Sequence, residues 1–191
     1  MNGGLYSDKY AAQVAAFFLY KAGGGLSILK LMKLMYLAER LSLERYGEPL
    51  TGDFLVSMPH GPVLSMTLKY INGMLESTRG GWDEWISDRE NRSLSLADPS
   101  MIRTPEKDLL ALSETDLEVL SEIWEKFGHM GAWELRDYTH DHLPEWTDPK
   151  GSSRPITYRN LFDALGFSKE KTEALINRIE EQRQINEAFT Q

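Results

Sequence analysis

Apolar positions in the first quarter of the chain recur at helical spacing. Ala12, Ala15, Ala16, Leu19 and Tyr20 form an i, i+3, i+4 stripe, with Ser7 or Asp8 as N-cap, which predicts a helix from Asp8 to Lys21. Gly23-Gly24-Gly25 stops it and turns the chain. Ser27 caps a second helix, Ile28 to Tyr46, whose core stripe is Leu31, Leu34, Met35, Ala38 and Leu41. Lys30, Lys33, Arg40 and Glu44 share another face, and Leu37 falls among them, either exposed or covered by a second layer. Gly47 then fits the position just past a helix end, before Pro49.

After this the period shortens. Phe54 to Met58, between Asp53 and Pro59, reads as a strand. His60-Gly61-Pro62-Val63 reads as a sharp turn opening a third helix with Pro62 in its first position, followed by Met66, Leu68, Tyr70, Ile71 and Leu75. Trp85-Ile86-Ser87 and Leu94-Ser95-Leu96 flank a polar loop, the pattern of a β-hairpin. Ser113 to Asp116 resembles a capping box and starts a helix that runs to Phe127. Trp133, Leu135 and Tyr138 sit on a further helix ending near Thr139-His140, ahead of Pro144. Helices at Tyr158–Leu165 and Ser168–Ala188 close the chain, the last with a polar tail expected to project or fray. The expected fold is therefore mainly α. It is a single compact domain over residues 1–191 with six to seven helices, a core at 6–165 and a C-terminal helix at 168–188. It carries a small antiparallel β element, a strand near 54–58 and a hairpin near 85–96.

Composition narrows the function. At 191 residues the chain is long enough for one real core. It has no Cys, hence no disulfide framework, thiolate metal site or Cys nucleophile. No apolar run approaches the roughly 20 residues that span a bilayer, and no signal-peptide pattern opens the chain, so a cytoplasmic protein without membrane contact is expected. The net charge of -8 is unevenly placed. Residues 1–75 carry +2, residues 150–191 carry +1, and residues 76–149, with 7 basic and 18 acidic side chains, carry -11. That balance argues against phosphate-neutralising nucleic-acid binding. Forcing a helix-turn-helix onto residues 8–46 leaves only Lys30, Lys33 and Arg40 to serve it.

Candidate chemistry is sparse. No phosphate loop, dinucleotide fingerprint or nucleophile elbow is present. Glu134, Asp137, His140, Asp141 and His142 form the densest polar cluster, and three of them fall on one helix face, a pattern open to zinc or iron. No H-E-x-x-H accompanies them. We expect no metal, no cofactor and no catalysis.

Three segments carry a family resemblance. They are Lys30 to Ala38 followed by Tyr46-Gly47-Glu48-Pro49-Leu50; His60-Gly61-Pro62-Val63; and Trp133 to His140 with Pro144-Glu145-Trp146 after it. In that order and spacing, and with Tyr10 to Leu19 as a first helix, they resemble the Panacea domain, the SocA-like antitoxin family. The resemblance covers roughly residues 6–165 and marks Lys33, Tyr36, His60, Gly61, Pro62, Thr139, His140 and Trp146 as family-motif residues. Met32, Met58 and Arg136-Asp137-Tyr138 depart from the family pattern. No DNA-binding segment precedes the motifs, so autoregulation by this chain is not expected.

The resemblance implies a non-enzymatic antitoxin of a bacterial or phage toxin–antitoxin pair, which neutralises a cognate protein toxin by direct binding. A protease is a second partner if the chain acts as an adaptor, and homo-oligomerisation is left open. The alternatives from other classes are a small metal-dependent hydrolase using the His140/His142 cluster, and a protease adaptor or transcriptional regulator. His60, Thr139, His140 and Trp146, far apart in sequence, are expected to converge in space. The acidic middle is the expected partner-binding surface, with Trp82 as aromatic anchor among Asp83, Glu84, Asp88 and Glu90. The 114–125 helix face and the last helix offer further surfaces.

Overall fold

The computed structural model describes residues 5–189. Among them the elements run α1 (Asp8–Lys21), β1 (Gly25–Ser27), α2 (Ile28–Tyr46), β2 (Leu55–Met58), β3 (Gly61–Leu64), α3 (Ser65–Ile71) and α4 (Trp82–Trp85). They continue as β4 (Ser93–Ser95), α5 (Pro105–Asp108), α6 (Glu114–Phe127), α7 (Ala132–His142), β5 (Arg154–Pro155), α8 (Tyr158–Ala164) and α9 (Lys169–Phe189). The described residues are 56% helical, mainly α with two small antiparallel sheets. Among the described residues nine α-helices stand where six or seven were expected, the two additional ones, α4 and α5, being single turns.

The helix ends follow local chemistry. Ser7 Oγ accepts from Tyr10 N, and Ser27 Oγ accepts from Lys30 N, each relieving an unpaired amide of a first turn. Gly47 ends α2 in the left-handed region at φ 66, where its missing side chain also leaves room for Leu175. Ser113 and Asp116 form the expected capping box of α6.

The helix α2 is the hub, packing against α1, α6, α7, α8, β1 and β3. Burial in α1 is continuous from Ala11 to Leu19, not confined to one stripe, because α2, α4 and α6 all pack against it. On α2 the second layer exists. Leu37 is buried, and Lys33 beside it is 0% exposed, because β3 and α7 pack over that face.

The β elements depart most from the expectation. Gly61 to Leu64 is not the start of a helix. It is β3, paired antiparallel with β2 in the register Leu55–Leu64 through Met58–Gly61, so Pro59 and His60 form the hairpin turn. Pro62 is tolerated because β3 lies at the edge of the sheet ordered β3-β2-β5. The helix α3 starts at Ser65, and the Asp53 carboxylate caps it from outside, accepting from the amides of Met66 and Thr67 at 2.7 and 2.8 Å. In the 85–96 region, bridges at Ile86–Leu96 and Glu90–Ser93 close the expected hairpin loop. Trp85 itself is helical, and the strand partner of β4 is β1, so the glycine exit of α1 forms an edge strand as well as a turn. The C-terminal tail stays helical to Phe189.

Candidate functional site

The family-motif residues meet where α2, the β2–β3 hairpin and α7 touch. Lys33 comes from the middle of α2, and its Nζ donates to Pro62 O at 2.6 Å. Burial brings the Lys33 amine down to about 7, and the Arg136 guanidinium nearby pushes the same way. Gly61 crosses directly above this amine at φ 96. A Cβ built there would lie 2.8 Å from both Lys33 Nζ and Thr139 Oγ1, so close approach and backbone angle both call for glycine. Thr139 is fully buried on α7 and donates back to Arg136 O at 2.8 Å.

The other side of the hairpin is tied by Trp146. Its Nε1 donates to Met58 O at 3.1 Å, and the His140 ring stacks on it at 3.8 Å with planes 7° apart. Burial, then Arg136 and Lys33, hold the His140 pKa below the usual imidazole value. A neutral ring lying flat on an indole is consistent with that direction. Tyr36 OH donates to Glu145 Oε1 at 3.2 Å, and Arg40 Nε reaches the same oxygen at 2.8 Å. The Glu145 side chain is fully buried, so this ion pair fixes the Pro144-Glu145-Trp146 segment against α2. Sequence reasoning placed Glu145 in a motif but gave it no role; its partner Arg40, four residues after Tyr36 on α2, was the available signal.

Thr139, His140 and Trp146 therefore converge on the hairpin, as expected. His60 stands at the same hairpin but on the outside. It is exposed and meets Trp133 in a T-shaped contact at 5.6 Å, while the Arg136 guanidinium lies over the Trp133 ring, 5.0 Å from its centroid. A groove of about 460 Å³ opens beside them, floored by Met32, Lys33 and Val63 and rimmed by His60, Trp133, Arg89 and Arg92.

The polar cluster of α7 disperses. His140 faces Trp146, whereas His142 stacks on Tyr138 at 4.3 Å and its Nδ1 lies 3.1 Å from Tyr138 O. Glu134 accepts from Gly131 N at the helix start, and Asp137 pairs with Arg136. Among the described residues no group of three His, Asp or Glu side chains is placed to hold a metal.

In the acidic middle, Asp83, Glu84, Asp88 and Glu90 are exposed. Trp82 is a correction. It is 3% exposed and stacks on Tyr70 at 6.2 Å, since α4 packs against α1 and turns the indole into the core, so it offers no surface anchor. Trp133, 54% exposed, is the only one of the five Trp residues that is. Asp88 and Glu90 line an open hollow with β1 and β4, which adjoins the groove at Ser27 and Asn91.

The family model of the antitoxin SocA-like Panacea domain matches residues 31–147. This chain belongs to that family. The matched span starts within α2 and ends one residue past Trp146, so it contains every residue of the hairpin lock. It is narrower than the 6–165 expected from the motifs, leaving α1, β1, β5, α8 and α9 outside. No curated protein and no solved structure matches the chain. The family points to an antitoxin role with a toxin as partner. Among the described residues no helix is long and apolar enough to cross a membrane.

Proposed function

We propose that this chain is an antitoxin that neutralises a cognate protein toxin by direct, non-catalytic binding, acting in the cytoplasm as one folded unit. The observation that carries the reading is the family match over residues 31–147, whose span coincides with the lock of α2, hairpin and α7. The lock supports a binding role because several of its polar groups tie the elements to one another, with His140 Nε2, Arg136 Nε and Glu145 Oε2 left buried without a hydrogen-bond partner. Lys33 is bound to Pro62 O, Glu145 to Tyr36 and Arg40, and Trp146 to Met58 O.

The exposed carboxylates Asp83, Glu84, Asp88 and Glu90 supply a surface that steers a basic partner. Co-expression of the chain with the toxin gene beside its own tests the reading, with restored growth as the expected result and continued arrest as the result against it. The triple reversal Asp83→Lys, Glu84→Lys, Glu90→Lys should slow toxin association by about tenfold or more at low salt while leaving the melting curve cooperative. Unchanged association kinetics would remove the acidic surface from the proposal.

A further inference from the structure

The acidic surface stops at one loop, and the groove behind that loop has the opposite sign. Residues 88–92 read Asp-Arg-Glu-Asn-Arg. Asp88 and Glu90 face the hollow over β1 and β4, whereas Arg89 and Arg92 face the groove over α2 and the hairpin. The accessible ionisable side chains lining the groove are His60, Arg89 and Arg92, with no Asp or Glu among them; Lys33 lies buried beneath. That is a marked bias in a chain with 29 acidic and 21 basic residues. The rest of the lining is largely apolar, including Met32, Met58, Val63 and Leu68.

The groove is also organised in advance. The amide of Ile28, at the start of α2, donates to Arg92 O at 2.8 Å and pins the loop to the helix. Arg89 Nη1 donates to Asn72 Oδ1 at 2.7 Å. Trp133 lines the groove and is contacted by the His60 ring, in a T-shaped pair, and by the Arg136 guanidinium. An exposed indole already fixed by its neighbours loses little freedom when a partner covers it. A second hollow, of about 530 Å³ between β5 and α9, lacks this definition: Arg159, Arg183 and Glu180 give it both signs.

Resting on the antitoxin reading, we propose that this groove docks a segment of the toxin in which an apolar side chain is flanked by carboxylates. The apolar side chain lies against Leu29, Leu68 and Trp133, which line the groove and keep accessible surface, and the carboxylates meet Arg89 and Arg92. With the carboxylate face across the loop, the interface then presents two signs within one short stretch. That fixes the orientation of the partner and penalises one with the reverse pattern.

Two measurements keep this apart from the reading it rests on. Growth rescue by the wild-type chain decides the antitoxin role. Fluorescence anisotropy of the full chain decides the groove, using short fluorescein-labelled peptides with a Leu-Phe core flanked by Glu or, in the second probe, by Lys. The Glu-flanked peptide should bind at least tenfold tighter. The double variant R89E/R92E should reverse that preference, and L29W, which fills the groove, should abolish binding of both. R103E/K107E, with the same change in net charge elsewhere, should behave as wild type. Equal binding of the two peptides, or a preference untouched by R89E/R92E, overturns the proposal whatever the rescue shows. So does full rescue by R89E/R92E when the wild type also rescues. Arrest with the wild type alongside the expected peptide pattern instead removes the antitoxin reading and leaves the groove's chemistry standing. Melting curves of each variant establish that it folds.

Discussion

Replacing Lys33 by Met removes an amine that the fold holds without solvent, and its consequence is a change in the pH dependence of stability. The amine is 0% exposed and its pKa falls to about 7, against 10.5 for a free lysine. A lysine whose folded pKa is depressed binds its proton more tightly when unfolded. Its penalty is therefore complete below pH 7, shrinks as pH rises from 7 to 10.5, and vanishes above that. Met keeps the length of the chain and carries no proton. Subtracting the K33M curve from the wild-type curve cancels every other group that titrates independently. With these two pKa values, the wild type should gain roughly 2–3 kcal/mol on K33M between pH 6 and pH 9. For a chain of this size that is a relative rise in melting temperature of about 5–10 °C. The loss of the bond to Pro62 O lowers the K33M curve by a further roughly 1–3 kcal/mol at all pH values, so it shifts the difference without tilting it. Urea unfolding of both proteins at pH 6, 7, 8 and 9 reads the tilt. A difference curve flat to within about 0.5 kcal/mol would mean that the folded and unfolded amines hold protons equally well, and the burial argument for Lys33 would be wrong.

Two further substitutions test the same region by other routes. Gly61→Ala should cost at least about 2 kcal/mol in urea unfolding, from a positive φ together with contacts of 2.8 Å to Lys33 and Thr139. Gly73→Ala, with a positive φ but open space around it, should cost less, and equal losses would refute the steric part. Glu39→Gln acts in the opposite pH direction to K33M. Burial pushes the Glu39 carboxyl up to about 7 against its bonds from Thr51, so the folded state keeps a proton that the unfolded state loses from about 4.5. Wild-type stability is lost across that window, and E39Q should gain up to about 3 kcal/mol on it between pH 4.5 and 8. Parallel profiles for the two proteins would show that Glu39 ionises freely.

How much of this was legible follows from the range of each interaction. The bounds of α1 and α2 could be read because Ser7, Ser27 and Gly47 act within a turn of their own backbone. The strand β3 could not. Pro62 after a glycine suits the first position of a helix, and what makes it a strand is pairing with Leu55–Met58 together with an α3 cap supplied by Asp53. The strand β1 was hidden for the same reason, since its partner lies about 70 residues on, at Ser93–Ser95. Charge misled in two places. Lys33 shares a helical face with Lys30 and Arg40 and reads as solvated until the hairpin and α7 are packed over it. Trp82, amid acidic neighbours, reads as a surface aromatic, yet the single turn that carries it is pressed onto α1.

The same burial separates two tasks within the site. Lys33, Gly61, Pro62 and Thr139 are inaccessible, so no partner reaches them while the domain is folded, and a change at any of them acts through stability. On the proposed reading, contacts to a partner come from exposed residues, among them His60 and Trp133 at the hairpin and α7, and Asp88, Arg89, Glu90 and Arg92 in the 88–92 loop. These loop residues lie outside the three recognisable segments and bear the alternating charges. On the proposed reading, exchanging rim charges costs a few tenths of a kcal/mol of stability, whereas exchanges in the lock beneath cost roughly 1–3 kcal/mol. Substitutions at Arg89 and Arg92 should thus change binding with little change in melting temperature, and substitutions at Gly61 and Lys33 the reverse at low toxin concentration. If rim and lock variants instead lost binding and stability in fixed proportion, positioning and recognition would not be separable in this fold.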